Sequence, residues 1–165
     1  MDATWMHLLV NHFPVVLSIV GLASLIVGAA TAREFFWRAG LTLMLLAGIA
    51  AVPAFLTGDA AHKIIERRLF VVRGTIGAHD DAAGVALWAL LTCAAANAWA
   101  LWRARASNAA QLAGWLRAVV LVLALAAVGS VSYAAYLGGR IVHDSPVLQG
   151  ERMGGGPGPG ATQPE

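Results

Sequence analysis

The chain has 165 residues, of which 59% are hydrophobic and 12% are charged, and its mean hydropathy is +0.70. Soluble proteins are about half apolar and a quarter charged, so this composition indicates a membrane protein and argues against a soluble enzyme, a nucleic-acid binder or a disordered chain. The formal net charge of +2 is too small to identify a partner. The single cysteine, Cys93, excludes an internal disulfide, a C-x-x-C-H haem attachment and a thiolate metal site.

Four apolar runs, each long enough to cross a bilayer, follow one another along the chain. They cover residues 13–31, 39–57, 82–102 and 116–137, and none has a charged residue in its core. The first and third connections are short, which favours antiparallel neighbours. The predicted fold class is therefore all-α, a four-transmembrane-helix antiparallel bundle, within a membrane domain of residues 1–148.

The segments outside these runs differ in character. Residues 59–73 mix aliphatic and basic side chains, which predicts a short interfacial amphipathic helix between helices 2 and 3, with a solvated loop as the alternative. Residues 149–165 are rich in Gly and Pro and predict a flexible tail. In the fourth run, small residues recur every four positions and predict an interior or inter-subunit face: Ala126, Ser130, Ala134 and Gly138.

The charges favour one orientation in the membrane. We call the side with both termini and the long second connection side A, and the side with the two short loops side B. Basic residues on side B lie in short loops beside the span ends, where the positive-inside bias is strongest: Arg33, Arg38, Arg103, Arg105 and Arg117. We therefore expect a multi-pass protein of the bacterial inner membrane, with side B cytoplasmic and both termini periplasmic.

Histidine is the polar residue whose placement is most informative. All five histidines, His7, His12, His62, His79 and His143, fall on side A. His12, His62, His79 and His143 each come from a different span at a similar membrane level, and imidazoles converging from several helices can ligate a metal or a haem iron. The alternative is that each is an interfacial residue with its polar tip in water.

The helix spacing gives candidate pairs. Diagonal helices of a four-helix bundle lie roughly 11–14 Å apart, which leaves room for two imidazoles and an iron between them. On that geometry His12 pairs with His79 and His62 pairs with His143, although pairing between adjacent helices stays open. His7 is a second-rank candidate because five residues place it about 140° round a helix from His12.

Residues around the histidines fit haem better than a bare metal. Glycines such as Gly138 and Gly139 allow the backbone to lie close to a flat macrocycle. Four arginines are near enough in sequence to meet propionate carboxylates: Arg67, Arg68, Arg73 and Arg140. Each feature has an ordinary alternative, because glycines also end helices and arginines also face lipid headgroups.

Several of these stretches resemble one family. They are Leu8–Pro14 with its H-F-P motif, Thr57-Gly58 followed by His62, His79 at the start of the third run, and Leu137–His143 with its G-G-x-x-x-H motif. This pattern resembles a family of small bacterial four-helix membrane proteins described only as a predicted membrane domain of unknown function. The resemblance covers about residues 6–144. It implies haem b binding with ligand roles for His12, His62, His79 and His143, and association with c-type cytochromes.

These observations lead to one main functional hypothesis. We expect a haem b (cytochrome b-like) electron-transfer subunit with one or two haems near the periplasmic face, passing electrons between a periplasmic cytochrome c or other redox subunit and quinone or a larger membrane complex. The alternatives are a copper- or zinc-binding membrane protein and a structural subunit of a complex or homo-oligomer. No G-x-S-x-G, phosphate-loop or H-E-x-x-H motif is present, so the sequence favours a non-catalytic subunit over an enzyme.

Overall fold

The computed structural model describes residues 3–65, 73–106 and 113–143. Of these residues 97% are helical, and none lies in a strand. There are five helices in this part of the chain: α1 (Ala3–Val10), α2 (His12–Thr31), α3 (Glu34–Ile65), α4 (Arg73–Ala106) and α5 (Gly114–His143). The predicted all-α fold class is confirmed.

Four stretches of helix are long and apolar enough to cross a membrane. They are Trp5–Thr31, Glu34–Ala61, Ile76–Arg105 and Gly114–Ile141. Each is longer than the corresponding apolar run, because the helix continues through the polar residues that bound the run in the sequence. The protein is thus a multi-pass membrane protein with four spans in the described residues.

The first part of the predicted amphipathic segment belongs to the second span's helix. Residues 59–65 extend α3, which runs without interruption to Ile65. Residues 66–72 lie outside the described residues, as does the predicted tail 149–165.

The first span consists of α1 and α2, which are separated at Asn11. Pro14 lies in the first turn of α2, where its missing N–H is tolerated, but it cannot donate to the carbonyl of Val10 at the end of α1. The amide of Asn11 still donates to the carbonyl of His7 at 2.9 Å, so the chain continues in nearly the same direction. At the other end of α2, Ala32 adopts a left-handed conformation (φ 55°) and ends the helix.

The long helices form a ring. Helix α2 packs against α3 and α5, and α4 packs against the same two helices, so α2 and α4 lie on one diagonal and α3 and α5 on the other. Helix α1 packs mainly against α3. Small residues allow close approach: a Cβ at Gly48 of α3 would lie 2.9 Å from the carbonyl oxygen of Leu90 in α4.

At side B, an acidic residue and two arginines lie where the starts of α3 and α5 meet. Glu34 at the start of α3 accepts from Arg38 at 3.4 Å and pairs with Arg117 of α5 at 3.5 Å. The guanidinium of Arg117 lies 5.0 Å from the ring centroid of the buried Trp37. Arg117, one of the arginines that set the predicted orientation, therefore also connects α5 to α3.

The two halves of the chain bury equivalent positions. The buried residues of α2 are Pro14, Ser18, Gly21, Leu25 and Gly28. Adding 72 to each number gives five residues of α4 that are all buried too: Ala86, Leu90, Cys93, Asn97 and Ala100. Helices α2 and α4 therefore present the same face to the interior of the bundle.

The same correspondence links α3 to α5. Five buried residues of α3 are Gly40, Met44, Ala47, Ala51 and Ala54. Adding 80 to each number gives five buried residues of α5: Val120, Ala124, Ala127, Val131 and Ala134. Because each helix corresponds to the one diagonally opposite, which runs in the same direction, the halves are parallel repeats related by a pseudo-two-fold axis along the membrane normal.

Candidate functional site

His7 on α1 reaches across to α3. Its Nδ1 donates to the carbonyl oxygen of Ala54 at 3.0 Å, and the hydroxyl of Thr57 lies 3.4 Å from the same nitrogen. The imidazole lies against Gly58, one turn further along α3, where a Cβ would come within 3.0 Å of the ring carbon Cε1. The ring is thus held by a backbone carbonyl and packs against Gly58 more closely than a side chain at residue 58 would ordinarily allow.

His79 on α4 makes the same contacts with α5. Its Nδ1 donates to the carbonyl oxygen of Ala134 at 2.9 Å. Its ring lies against Gly138, where a Cβ would come within 3.1 Å of Cε1. An alanine carbonyl and a glycine one turn later therefore hold each of the two imidazoles.

The pseudo-two-fold axis relates these two arrangements. His79 follows His7 by 72 positions, and Ala134 and Gly138 follow their counterparts in α3 by 80. The histidines lie on the diagonally opposed first and third spans, in the first turns of each span counted from side A. The pair therefore lies on both sides of the axis near the side A end.

The hydrogen bonds determine which ring nitrogen is left for a ligand. A carbonyl oxygen can only accept, so Nδ1 of His7 and Nδ1 of His79 must each carry a proton. In a neutral imidazole the other nitrogen, Nε2, then has a lone pair. Histidines that ligate metals have this arrangement, in which a backbone carbonyl accepts from the ring nitrogen that is not bound to the metal.

His12 has a different environment from the other two described imidazoles. It is exposed at the first residue of α2, and its Nδ1 donates to the carbonyl oxygen of Leu8 on the preceding turn at 3.0 Å. Its ring is therefore held within its own span, whereas His7 and His79 each reach a second span. This difference favours His7 over His12 as the partner of His79.

His62 and His143 lie about one turn beyond the glycines that receive the other rings. His62 follows Gly58 by four residues in α3, and His143 follows Gly138 by five residues at the end of α5. The backbone of both residues is helical, and their side chains lie outside the described atoms. They belong to the second diagonal pair of helices, as the sequence predicts.

Asn11 adds a polar group to the same end of the bundle. It lies one turn after His7, at the junction of α1 and α2, and its side-chain oxygen Oδ1 is buried with no hydrogen-bond partner among the described residues. A buried acceptor without a donor is costly, so this oxygen is placed to receive a hydrogen bond from a bound group or water.

The predicted cofactor-binding residues have separate positions. Gly138 receives the His79 ring, whereas a Cβ at Gly139 would meet nothing within 4 Å. Arg140 is exposed on the last turn of α5. Arg73 is the first residue of α4 and its side chain is not described, and Arg67 and Arg68 lie outside the described residues. Pairing of these arginines with haem propionates therefore stays a prediction.

The sequence ranks His7 second because a continuous helix would place it about 140° round from His12. In the structure α1 and α2 are separated at Asn11, between these two residues. A signal for the pairing is nevertheless present. Ala54-x-x-x-Gly58-x-x-x-His62 recurs as Ala134-x-x-x-Gly138-Gly139-x-x-x-His143, with one inserted residue. A comparison of the two halves would have placed His7 opposite His79. Among the described side chains, no group of three or more His, Cys, Asp or Glu residues could hold a metal ion.

Comparison with known proteins identifies the family. The model of the DUF2231 family, described as a predicted membrane protein, matches residues 5–149. The chain therefore belongs to this family. No curated protein and no solved structure matches the chain.

Proposed function

We propose that this DUF2231 member is a haem b-binding electron-transfer subunit of a membrane redox system, in which His7 and His79 would hold one haem. One observation carries the proposal: two imidazoles on diagonally opposed spans have the same contacts and are related by the pseudo-two-fold axis. A bis-histidine haem requires two imidazoles on opposite sides of one iron, which a two-fold arrangement supplies.

The residues fit such a group in their donor chemistry. Each Nδ1 donates to a carbonyl, so each Nε2 has a lone pair, and the carbonyl bond fixes the ring orientation and increases the basicity of the ligand. Glycines 58 and 138 give each ring the space it occupies. Haem would supply one-electron chemistry, while these residues hold it, orient it and set its potential.

The same geometry supports haem over a bare copper or zinc ion. Structural zinc sites use four protein ligands, and catalytic sites use three. His7 and His79 are the two imidazoles that each reach a second span among the described side chains. Two trans ligands suffice for haem because the porphyrin nitrogens supply the other four.

His62 and His143 are proposed as the second pair. Their helical positions on α3 and α5 are one turn closer to side A than Gly58 and Gly139. They would either ligate a second haem or lie beside the propionates of the first. Arg140, with Arg67, Arg68 and Arg73, would pair with propionate carboxylates at this end of the bundle.

We further propose that side A is periplasmic in a bacterial inner membrane and that the electron partner there is a cytochrome c or another redox subunit. The five arginines of side B support this orientation through the positive-inside bias. A phosphatase that is active only in the periplasm, fused after Glu165, is expected to be active. An inactive phosphatase with normal fusion levels would reverse the orientation.

The proposal is tested on full-length protein purified after expression with haem supplied. We expect a reduced-minus-oxidised spectrum with a b-type α-band and at least one haem per chain. Metal analysis of the same sample should find iron in stoichiometric amount. Absence of the band, or stoichiometric copper or zinc without iron, would contradict the proposal.

A further inference from the structure

A groove on the outer surface of the second half lies beside the His79 turn. It has a volume of about 380 Å³, within the usual range for small-molecule sites, and opens between α4 and α5. Its walls are Ala78, Asp81, Ala82 and Val85 of α4 with Ser130 and Tyr133 of α5. Ala78 directly precedes His79, so the groove and the histidine pair share one turn of helix.

The groove opens towards the bilayer near side A. Val85 and Tyr133 are 63% and 59% exposed in helices that span the membrane, so a ligand would enter from the lipid. Asp81 is exposed and directly precedes the third apolar run, which begins at residue 82. A carboxylate at the side A end of this span is close to water and also within reach of a membrane-soluble molecule.

The polar groups of the groove are not part of the internal repeat. The residues equivalent to Asp81, Ser130 and Tyr133 in the first half are Leu9, Ala50 and Pro53, all of which are apolar. The repeated frame therefore does not require these polar side chains. Polar groups on a lipid-facing surface are costly, and they commonly mark functional sites.

We propose that this groove binds a quinol and delivers its electrons to the site at His79; the proposal rests on the function proposed above. A quinol head is a flat apolar ring with a hydroxyl at each end, and it travels within the bilayer. The Asp81 carboxylate accepts a hydrogen bond or proton from a hydroxyl, and the Tyr133 phenol can donate or accept. The Ser130 hydroxyl donates to the Ala126 carbonyl at 2.8 Å, so its oxygen is left as an acceptor.

A quinol that becomes a quinone loses two electrons and two protons. Haem held at His79 would be the one-electron oxidant and would take up the two electrons one at a time. Each proton leaves a quinol hydroxyl for the Asp81 carboxylate and then passes to water at side A.

The charge of the groove favours a quinol over a lipid headgroup. Asp81 is the charged residue in its walls, and a carboxylate repels the phosphate of a phospholipid. A quinol has no charge and offers hydroxyl donors to the same carboxylate.

The first experiment measures how fast decyl-ubiquinol reduces the full-length, haem-loaded protein in nanodiscs. We expect Asp81→Asn to slow reduction at least tenfold and Val85→Trp, which fills the groove, to do the same. Phe13→Trp is the matched control, because Phe13 is the equivalent of Val85 and is 55% exposed. It should change the rate less than twofold. Equal rates in all four proteins with equal haem content would overturn the proposal.

The second experiment does not depend on haem. An azido-quinone is photolysed with the full-length protein, with and without haem, and the labelled peptides are mapped. Label on α4 near Asp81 or on α5 near Tyr133, lost in Val85→Trp, supports the groove even if the protein binds no haem. Label that survives Val85→Trp, or displacement by phospholipid in place of quinone, would overturn it. Tyr133→Phe, which keeps the ring and removes the hydroxyl, replaces Asp81→Asn if that variant does not fold.

Discussion

Gly138 and Gly139 are adjacent in α5 but have opposite surroundings. A Cβ at Gly138 would lie 3.1 Å from Cε1 and 3.3 Å from Nδ1 of His79, whereas a Cβ at Gly139 would meet no atom within 4 Å. Alanine favours a helix over glycine by about 1 kcal/mol at either position. The two glycines therefore form a matched pair that separates helix propensity from contact with the imidazole.

We expect Gly138→Ala to displace the His79 ring and weaken its bond to Ala134. A hydrogen bond of this kind contributes about 1 kcal/mol, so haem affinity should fall roughly fivefold. Gly139→Ala should leave haem affinity unchanged and raise the free energy of unfolding by ~0.5–1 kcal/mol. Haem titration and denaturant unfolding in micelles measure both effects. The same haem affinity in the two variants would show that the ring is not confined by residue 138.

Glycine has a different role where α3 crosses α4. A Cβ at Gly48 would lie 2.9 Å from the carbonyl oxygen of Leu90, so the two helix backbones approach closely. Gly129 of α5 is exposed, and a Cβ there would meet nothing within 4 Å. Close contact between spans replaces the hydrophobic effect, which is weak between helices that are already in lipid.

Valine at these two positions tests the helix contact. Gly48→Val should lower the free energy of unfolding by roughly 1–3 kcal/mol, because the side chain forces α3 and α4 apart. Gly129→Val has the same β-branched side chain in a lipid-facing position and should change the free energy by less than ~0.5 kcal/mol. Unfolding in mixed micelles followed by helical circular dichroism measures both values. Similar losses of unfolding free energy in the two variants would mean that the contact between α3 and α4 does not determine the effect of Gly48→Val.

At the scale of the whole molecule, the four spans can be predicted from the sequence, because hydrocarbon excludes charged residues and the cores of the four apolar runs have none. The helix ends cannot be predicted in this way, since α3 continues to Ile65 through charged residues that mark the end of an apolar run. The cluster of histidines at side A also follows from the sequence. Their pairing does not, because it depends on the helix junction at Asn11 and on which backbone carbonyl each ring meets.

The internal repeat is weak at the level of residue identity, so the correspondence between His7 and His79 is not evident from the sequence. The halves share buried positions and small residues more than residue identities: Leu25 corresponds to Asn97, and Trp37 corresponds to Arg117. Both members of the second pair are in contact at side B, so the axis runs through the bundle from that contact to the histidines. Because the two halves share a backbone arrangement but differ in side chains, His7 and His79 can have equivalent positions while the groove between α4 and α5 occurs in the second half.

The central claim is that His7 and His79 ligate the same haem iron, and near-infrared magnetic circular dichroism of the oxidised, haem-loaded protein tests it most directly. Wild-type protein should show the low-spin charge-transfer band of a bis-imidazole haem. His7→Ala and His79→Ala should each convert the haem that these residues hold to high spin and reduce the band intensity per chain to the same extent, and His12→Ala should retain the full intensity. A band whose intensity per chain is unchanged in both of the first two variants, or that falls with His12→Ala alone, would contradict the claim.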